Sequence, residues 1–163
     1  MRERALAAVD WGIVARAIHV LAVVLWLGGV ALITSVLLPT MKAKTAEEWV
    51  RDFDDIERRF AAQVRWAVLV TLASGLWMLV QYDLWDRFQS PRFWWMHLMV
   101  GVWLLYAVVL FIAEPLVLHR LFRTRAAVAP AATLRLVLRF HRVMLMLSLI
   151  AIFAAVAGAH GLF

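Results

Sequence analysis

Four apolar runs, each long enough to cross a lipid bilayer as a helix, constrain the fold of this 163-residue chain more than any other feature. They cover about residues 11–38, 63–82, 93–118 and 136–159. A helix needs about 20 consecutive apolar residues to cross the hydrocarbon core, whereas the strands of a membrane barrel are shorter and alternate with polar residues. The sequence therefore predicts an all-α integral membrane protein, a single domain over residues 1–163 that folds as a bundle of four transmembrane helices.

Composition supports this class and excludes several others. The chain is 65% hydrophobic with a mean hydropathy of +0.82, more apolar than a soluble domain. It has no cysteine, which excludes disulfides, thiolate metal sites and cysteine nucleophiles. The sequence has no Gly-rich phosphate loop and no His-Glu-x-x-His motif, so nothing in it favours nucleotide or hydrolytic chemistry. The net charge of +6 arises in the loops, so the expected partner is the lipid bilayer and no nucleic acid.

The distribution of Lys and Arg predicts the orientation. Twelve of these residues lie in or beside the first and third loops, and five lie on the other side. By the positive-inside rule, both loops face the cytoplasm and both termini face the periplasm of a bacterial inner membrane. The first run is longer than the apolar core of a signal peptide and no cleavage site follows it, so we expect it to remain as a membrane helix.

The loop after the first run has a helical pattern of its own, TAEEWVRDFDDIERRF over residues 45–60. Thr45 and Glu48 match a capping box. Five apolar residues share one helical face: Trp49, Val50, Phe53, Ile56 and Phe60. The pattern predicts an amphipathic cytoplasmic helix that runs into the second span, and the alternative is a connector lying on the membrane surface. The third loop, FRTRAAVAPAATLR, is predicted to be a short basic turn broken by Pro130.

This topology sorts the five histidines into two groups. His19, His97 and His160 lie toward the outer side, whereas His119 and His141 lie at the cytoplasmic ends of the third and fourth spans. An unpaired polar group buried in hydrocarbon costs several kcal/mol, so His19 is the main candidate for a functional side chain. His97 lies at a matching depth. The other three are further candidates, for which a solvated interfacial histidine is the competing interpretation.

Residues near His19 indicate room for a ligand. His19 and Trp26 share one stripe of the first helix. The fourth helix has a stripe of small residues: Ser148, Ala151, Ala155 and Gly158. Small residues permit either close helix packing or a flat ligand, and the pattern does not choose. Arg16, one turn from His19, suits either a heme propionate or the lipid headgroups.

Glu114, which precedes Pro115, is expected to form an interfacial ion pair with a nearby loop arginine.

Two segments resemble a known group of membrane proteins. RAIHVLAVVLWLGGVAL resembles the first helix of the copper resistance protein D superfamily and of the related HemJ-type protoporphyrinogen oxidases, in which a histidine precedes a Trp-x-Gly-Gly-like turn. FDDIERRFAAQVRWAVLVTLASGLWML resembles the HemJ-type segment that enters the second span. The resemblance implies heme b in a four-helix membrane bundle, with His19 as an iron ligand.

The chain also departs from the HemJ-type pattern. Those proteins have a lysine in the third helix, where this chain offers His97 at or near the position, and an Asn-Glu-Val-Pro pattern in the fourth, where FHRVMLML stands. A histidine in place of the lysine suits bis-histidine ligation of heme. The specific protoporphyrinogen activity is therefore a weaker expectation than heme binding.

Three functions are compatible with these observations. The first is a membrane heme b protein that moves electrons between a quinone or porphyrin and another carrier, with His19 and His97 as axial ligands and Arg16 and Trp26 beside the cofactor. The second is a copper-binding or copper-transporting protein, since imidazole and thioether groups suit Cu(I). Five methionines qualify, although core packing also explains them: Met78, Met96, Met99, Met144 and Met146. The third is an accessory subunit with structural histidines. The sequence leaves the oligomeric state open, a homo-oligomer included.

Overall fold

The computed structural model describes residues 10–163, apart from the side chains of His119 and Arg123, and it confirms the all-α fold with four potential spans. The spanning helical rods are α1 (Trp11–Ala43), α2 (Ala46–Gln81), α3 (Pro91–Leu118) and α5 (Pro130–Ala159). A shorter helix, α4 (His119–Val128), continues α3. At most 28% of the most apolar window of each rod is buried inside the protein, so the remaining apolar surface is available to lipid. Two arginines counted toward the orientation, Arg2 and Arg4, lie outside the described residues.

The two prolines inside the spanning rods lie in or shortly after a π-helical turn. In α1 a π-helical turn, Ile33–Leu37, comes directly before the segment that contains Pro39. In α3 a longer π-helical segment, Val109–Leu118, contains Pro115. Proline has no N–H to donate and its ring clashes with the preceding turn, so a widened turn relieves the crowding. A change of helical register therefore accompanies Pro115.

The amphipathic helix before the second span is confirmed as the first half of α2. Thr45 and Glu48 form both hydrogen bonds of the capping box, and the helix continues without a break for 36 residues. Trp49 and Phe53 are only 2% and 5% exposed, because they pack against α1, α4 and α5. The alternative, a connector lying on the membrane surface, is wrong, since its apolar face is buried within the protein.

The third loop differs from its prediction. The segment expected to be a short turn is mostly helical as α4, and the backbone leaves the helix at Ala129. Pro130 is the first residue of α5, where its missing N–H has no helical partner to lose. The proline therefore begins a helix here, and the basic residues before it lie on a helical segment.

The four rods form two closely packed pairs. α1 packs most extensively against α2, and α3 against α5, with smaller contacts between α1 and α5 and between α2 and α3. The pairs meet in a central core with members from every rod, including Trp26, Val68, Tyr106 and Met144. We call the end of the bundle with Asp10, the α2–α3 connection and Phe163 the terminal end. The opposite end, with the α1–α2 connection and α4, is the basic end.

Candidate functional site

His19 forms a hydrogen bond to the neighbouring helix. Its Nδ1 lies 3.0 Å from the Ser74 hydroxyl oxygen, across the interface between α1 and α2. The Ser74 hydroxyl itself lies 2.6 Å from the Val70 carbonyl oxygen, one turn earlier in α2. A hydroxyl has one proton and a carbonyl can only accept, so with the Ser74 proton directed to Val70 the Ser74 oxygen accepts a hydrogen bond from Nδ1–H of His19. This geometry assigns the imidazole proton to Nδ1 and leaves a lone pair on Nε2.

The α2 backbone lies close to the same imidazole ring. A Cβ placed on Gly75 would be 3.3 Å from Cε1 of His19, closer than most side chains pack, and 3.6 Å from Nδ1, an ordinary contact distance. The Thr71 backbone interacts with the ring as a hydrogen-bond acceptor. His19 is therefore oriented by three positions that share one face of α2: Thr71, Ser74 and Gly75. Sequence reasoning missed Ser74 and Gly75, although a Ser-Gly pair inside an apolar run was a visible signal.

The structure does not bring His97 together with His19. His97 is exposed on α3, and its ring packs edge-on against Phe88 with 5.2 Å between ring centroids. Within residues 10–163, no hydrogen bond or ring contact joins the two histidines. They do lie at similar depths, about 12 Å and about 9 Å along their helices from Trp11 and Pro91. A paired role for them stays a prediction.

Arg16 lies on the terminal-end side of His19. Its guanidinium carbon is 5.8 Å from the centroid of the Tyr82 ring, at the cation–π distance. Tyr82 ends α2, and its hydroxyl covers Gly12 of α1. The side chain of Arg16 is exposed, and in the described part of the chain it has no carboxylate partner. It is thus available to an external anion, either a cofactor carboxylate or a lipid headgroup.

Trp26 belongs to the central core. It is 4% exposed, and its ring meets Tyr106 edge-to-face with centroids 4.6 Å apart. Its indole N–H is buried without a hydrogen-bond partner among the residues described. Tyr106 in turn is hydrogen-bonded to Ser148 of α5, with 3.2 Å between the two hydroxyl oxygens.

The small residues of α5 make room for aromatic side chains of α3. Ser148 packs beneath Tyr106, and a Cβ on Gly158 would overlap the Trp95 indole. Ala151 lies in the central core. Of the two explanations left open for this stripe, the structure supports close helix packing.

The remaining histidines are bonded within their own helices. Nδ1 of His160 lies 2.8 Å from the Val156 carbonyl, and Nδ1 of His141 lies 3.0 Å from the Val137 carbonyl. Such bonds to the preceding turn are an ordinary way for a helical histidine to satisfy one nitrogen. His141 also packs edge-on against Phe53. The side chain of His119, a further candidate, lies outside the described residues.

Glu114 forms the expected ion pair, but with an arginine from another helix. Arg65 of α2 contacts its carboxylate, and the Arg65 Nε donates a hydrogen bond of 3.2 Å to the Leu110 carbonyl. In a π-helical register, residue 115 is the one that would donate to Leu110, and proline cannot. Arg65 therefore satisfies the carbonyl that Pro115 leaves free. The prediction of a loop arginine as partner is wrong, because the pair forms between α2 and α3.

The arrangement of histidines and carboxylates suits heme iron better than a bare metal ion. Among the described residues, no three His, Asp or Glu side chains converge on one point. A bare metal ion held by three or four such side chains has no preassembled cage there. Heme iron has four porphyrin nitrogens and needs only one or two axial ligands from the protein.

Comparison with protein-family models, with curated proteins and with solved structures found no match to this chain.

Proposed function

We propose that this chain is an integral-membrane heme b protein that transfers electrons, with His19 as an axial ligand of the iron. The supporting observation is the hydrogen bond between His19 and Ser74, because it directs the imidazole proton to Nδ1. Histidines that ligate metals characteristically donate the other ring N–H to a protein acceptor, which fixes the tautomer and the ring orientation. His19 is the one intramembrane histidine described here whose Nδ1 bonds to a different helix.

The residues fit heme b by the chemistry of their donors. His19 offers a lone pair on Nε2, and Arg16 lies one turn closer to the terminal end as a cation for a propionate. When bound, heme b would act as a carrier of single electrons. The expected exchange partners are a quinone or porphyrin on one side and another electron carrier on the other. An oxidoreductase of the protoporphyrinogen oxidase kind is the enzymatic form of this proposal.

His97 is the proposed second residue that would hold the heme iron. Its ring packs edge-on against Phe88 and has no described contact with His19. Ser74 orients His19, whereas none of the hydrogen bonds described orients His97, so we expect His19 to be the stronger ligand. Loss of His19 abolishes heme retention, whereas loss of His97 weakens retention or converts a low-spin spectrum to a high-spin one.

The test is the absorption spectrum of protein purified from heme-supplemented cells. We expect a Soret band with α and β bands after reduction, lost in His19→Ala and changed in spin state in His97→Ala. His160→Ala is the matched control, since His160 lies at the same end but bonds to its own helix. A full low-spin spectrum in His19→Ala would overturn the proposal. Purified protein with bound copper and no Soret band would favour the copper alternative.

We place the protein in a bacterial inner membrane with both termini in the periplasm. The basic end then faces the cytoplasm, as the excess of Lys and Arg at that end favours. His19 lies about 12 Å along α1 from Trp11, within the outer half of the bilayer. The proposed heme would accordingly exchange electrons near the periplasmic face.

A further inference from the structure

Three arginines form a row along α5 at the basic end. Arg135, Arg139 and Arg142 are spaced by four and three residues, so they lie on one face of the helix, and all three are exposed. The row spans about 10 Å along the helix axis.

These arginines have no carboxylate partner within residues 10–163. The described ion pairs lie on other elements: Lys44–Asp52, Arg51–Asp52, Arg58–Asp55 and Arg65–Glu114. Like charges three and four residues apart on a helix repel one another. The row is therefore an uncompensated cationic surface, and an anion from outside the chain would stabilise it.

The same helical face continues into the bilayer as an apolar surface. Its members beyond the row are exposed: Met146, Leu149, Ile150 and Phe153. From Val143 to Ala159, the end of α5, the helix extends about 26 Å, slightly less than a hydrocarbon core of about 30 Å. Arg142 therefore lies at the boundary where lipid phosphates begin, and Arg135 lies about 10 Å farther out.

We propose that this face of α5 binds an anionic phospholipid, such as phosphatidylglycerol or cardiolipin. The headgroup phosphate lies against Arg135, Arg139 and Arg142, and an acyl chain runs along the apolar continuation of the face. Guanidinium groups bind phosphate through paired N–H donors, and basic clusters next to membrane helices attract anionic lipids. Charge and apolar surface are arranged in the order of a phospholipid, with the phosphate outside and the hydrocarbon inside. This proposal is independent of the heme.

The test uses native mass spectrometry of the full chain released from nanodiscs of phosphatidylglycerol and phosphatidylcholine in equal amounts. We expect the wild-type protein to retain phosphatidylglycerol preferentially. The triple variant Arg135→Gln, Arg139→Gln, Arg142→Gln should lose at least tenfold of that preference. The matched control is Arg51→Gln, Arg58→Gln, Arg59→Gln, which removes the same charge from α2 and should keep the preference. Circular dichroism confirms the helical fold of each variant.

A second variant separates charge from guanidinium geometry. With lysine at all three positions, the charge is kept and most of the preference should remain. Equal retention of phosphatidylglycerol by the wild type and the glutamine variant would overturn the proposal. So would a dimer that dissociates only in that variant, because the face would then belong to a second copy. If inorganic phosphate stabilised the protein as much as phosphatidylglycerol does, the face would be a general anion site with no role for the acyl chain. That result would also overturn the proposal.

Discussion

Nδ1 of His19 lies 3.0 Å from the hydroxyl oxygen of Ser74, so a hydrogen bond between two polar side chains joins α1 to α2 within the apolar spans. The donor capacity of Ser74 is already used by the Val70 carbonyl. With the hydroxyl proton directed to Val70, Nδ1–H of His19 is the donor of the pair and Nε2 has the lone pair.

The first prediction concerns the acceptor of this bond. Ser74→Ala removes it, and loss of such an outer partner typically lowers metal affinity about 10- to 100-fold. We expect heme retention to fall by at least tenfold in Ser74→Ala, measured by titrating heme into the apoprotein in detergent. Ser35→Ala is the control, since Ser35 is exposed on α1. Unchanged affinity in Ser74→Ala would remove the argument that the tautomer of His19 serves ligation.

The second prediction concerns the close approach of α2 to the ring. Gly75→Ala places a methyl group 3.3 Å from Cε1 of His19, so the ring or the helix has to shift. Gly101→Ala is the matched control, because a Cβ there meets nothing within 4 Å. Alanine favours a helix by about 1 kcal/mol over glycine, so Gly101→Ala should be neutral or stabilising. Thermal unfolding in detergent should show Gly75→Ala several degrees below Gly101→Ala, and equal midpoints would contradict the packing.

The third prediction concerns orientation, and the absence of cysteine from the chain makes it simple to test. Single cysteines are introduced at Gln89, exposed at the terminal end, and at Ala127, exposed at the basic end. A membrane-impermeant maleimide should label Gln89→Cys in intact spheroplasts and Ala127→Cys only after lysis. The reverse pattern would place the termini in the cytoplasm and His19 near the inner face.

Local patterns made the spans and the α2 extension predictable. Four apolar runs exceed the bilayer length, and the capping box at Thr45 with its apolar face needs no tertiary information. The same local reasoning misjudged α4. Its charges and the following Pro130 suggested a turn, but proline is favourable in the first turn of a helix.

The contacts of the candidate site could not be predicted in this way. His19 and Ser74 are 55 residues apart, and Arg65 and Glu114 are 49 apart. Whether such residues meet depends on how the helices rotate and pair, which apolar periodicity defines loosely when all faces are apolar. The sequence therefore identified His19 and Glu114 as unusual, whereas their partners required the three-dimensional structure.

The last prediction concerns the pair between Arg65 and Glu114. Its side chains are 35% and 21% exposed, against 78% and 61% for Arg58 and Asp55. Breaking a partly buried pair leaves an uncompensated charge, whereas exposed pairs contribute about 0.2–1 kcal/mol. A double-mutant cycle with alanine at Arg65 and Glu114 should give a coupling of about 2 kcal/mol in unfolding free energy, and the cycle at Arg58 and Asp55 below about 0.5 kcal/mol.

The two single variants of the Arg65–Glu114 pair should also differ in how much unfolding free energy they lose. Arg65→Ala leaves the Leu110 carbonyl without its donor and removes the cation that attracts both Glu114 and the half-buried Glu57. Glu114→Ala removes one of those carboxylates and keeps the bond from Arg65 to Leu110. Arg65→Ala should therefore be the more destabilising variant, by about 1 kcal/mol or more. Equal losses would mean that Arg65 acts on Glu114 alone and has no part in holding the wide turn at Pro115.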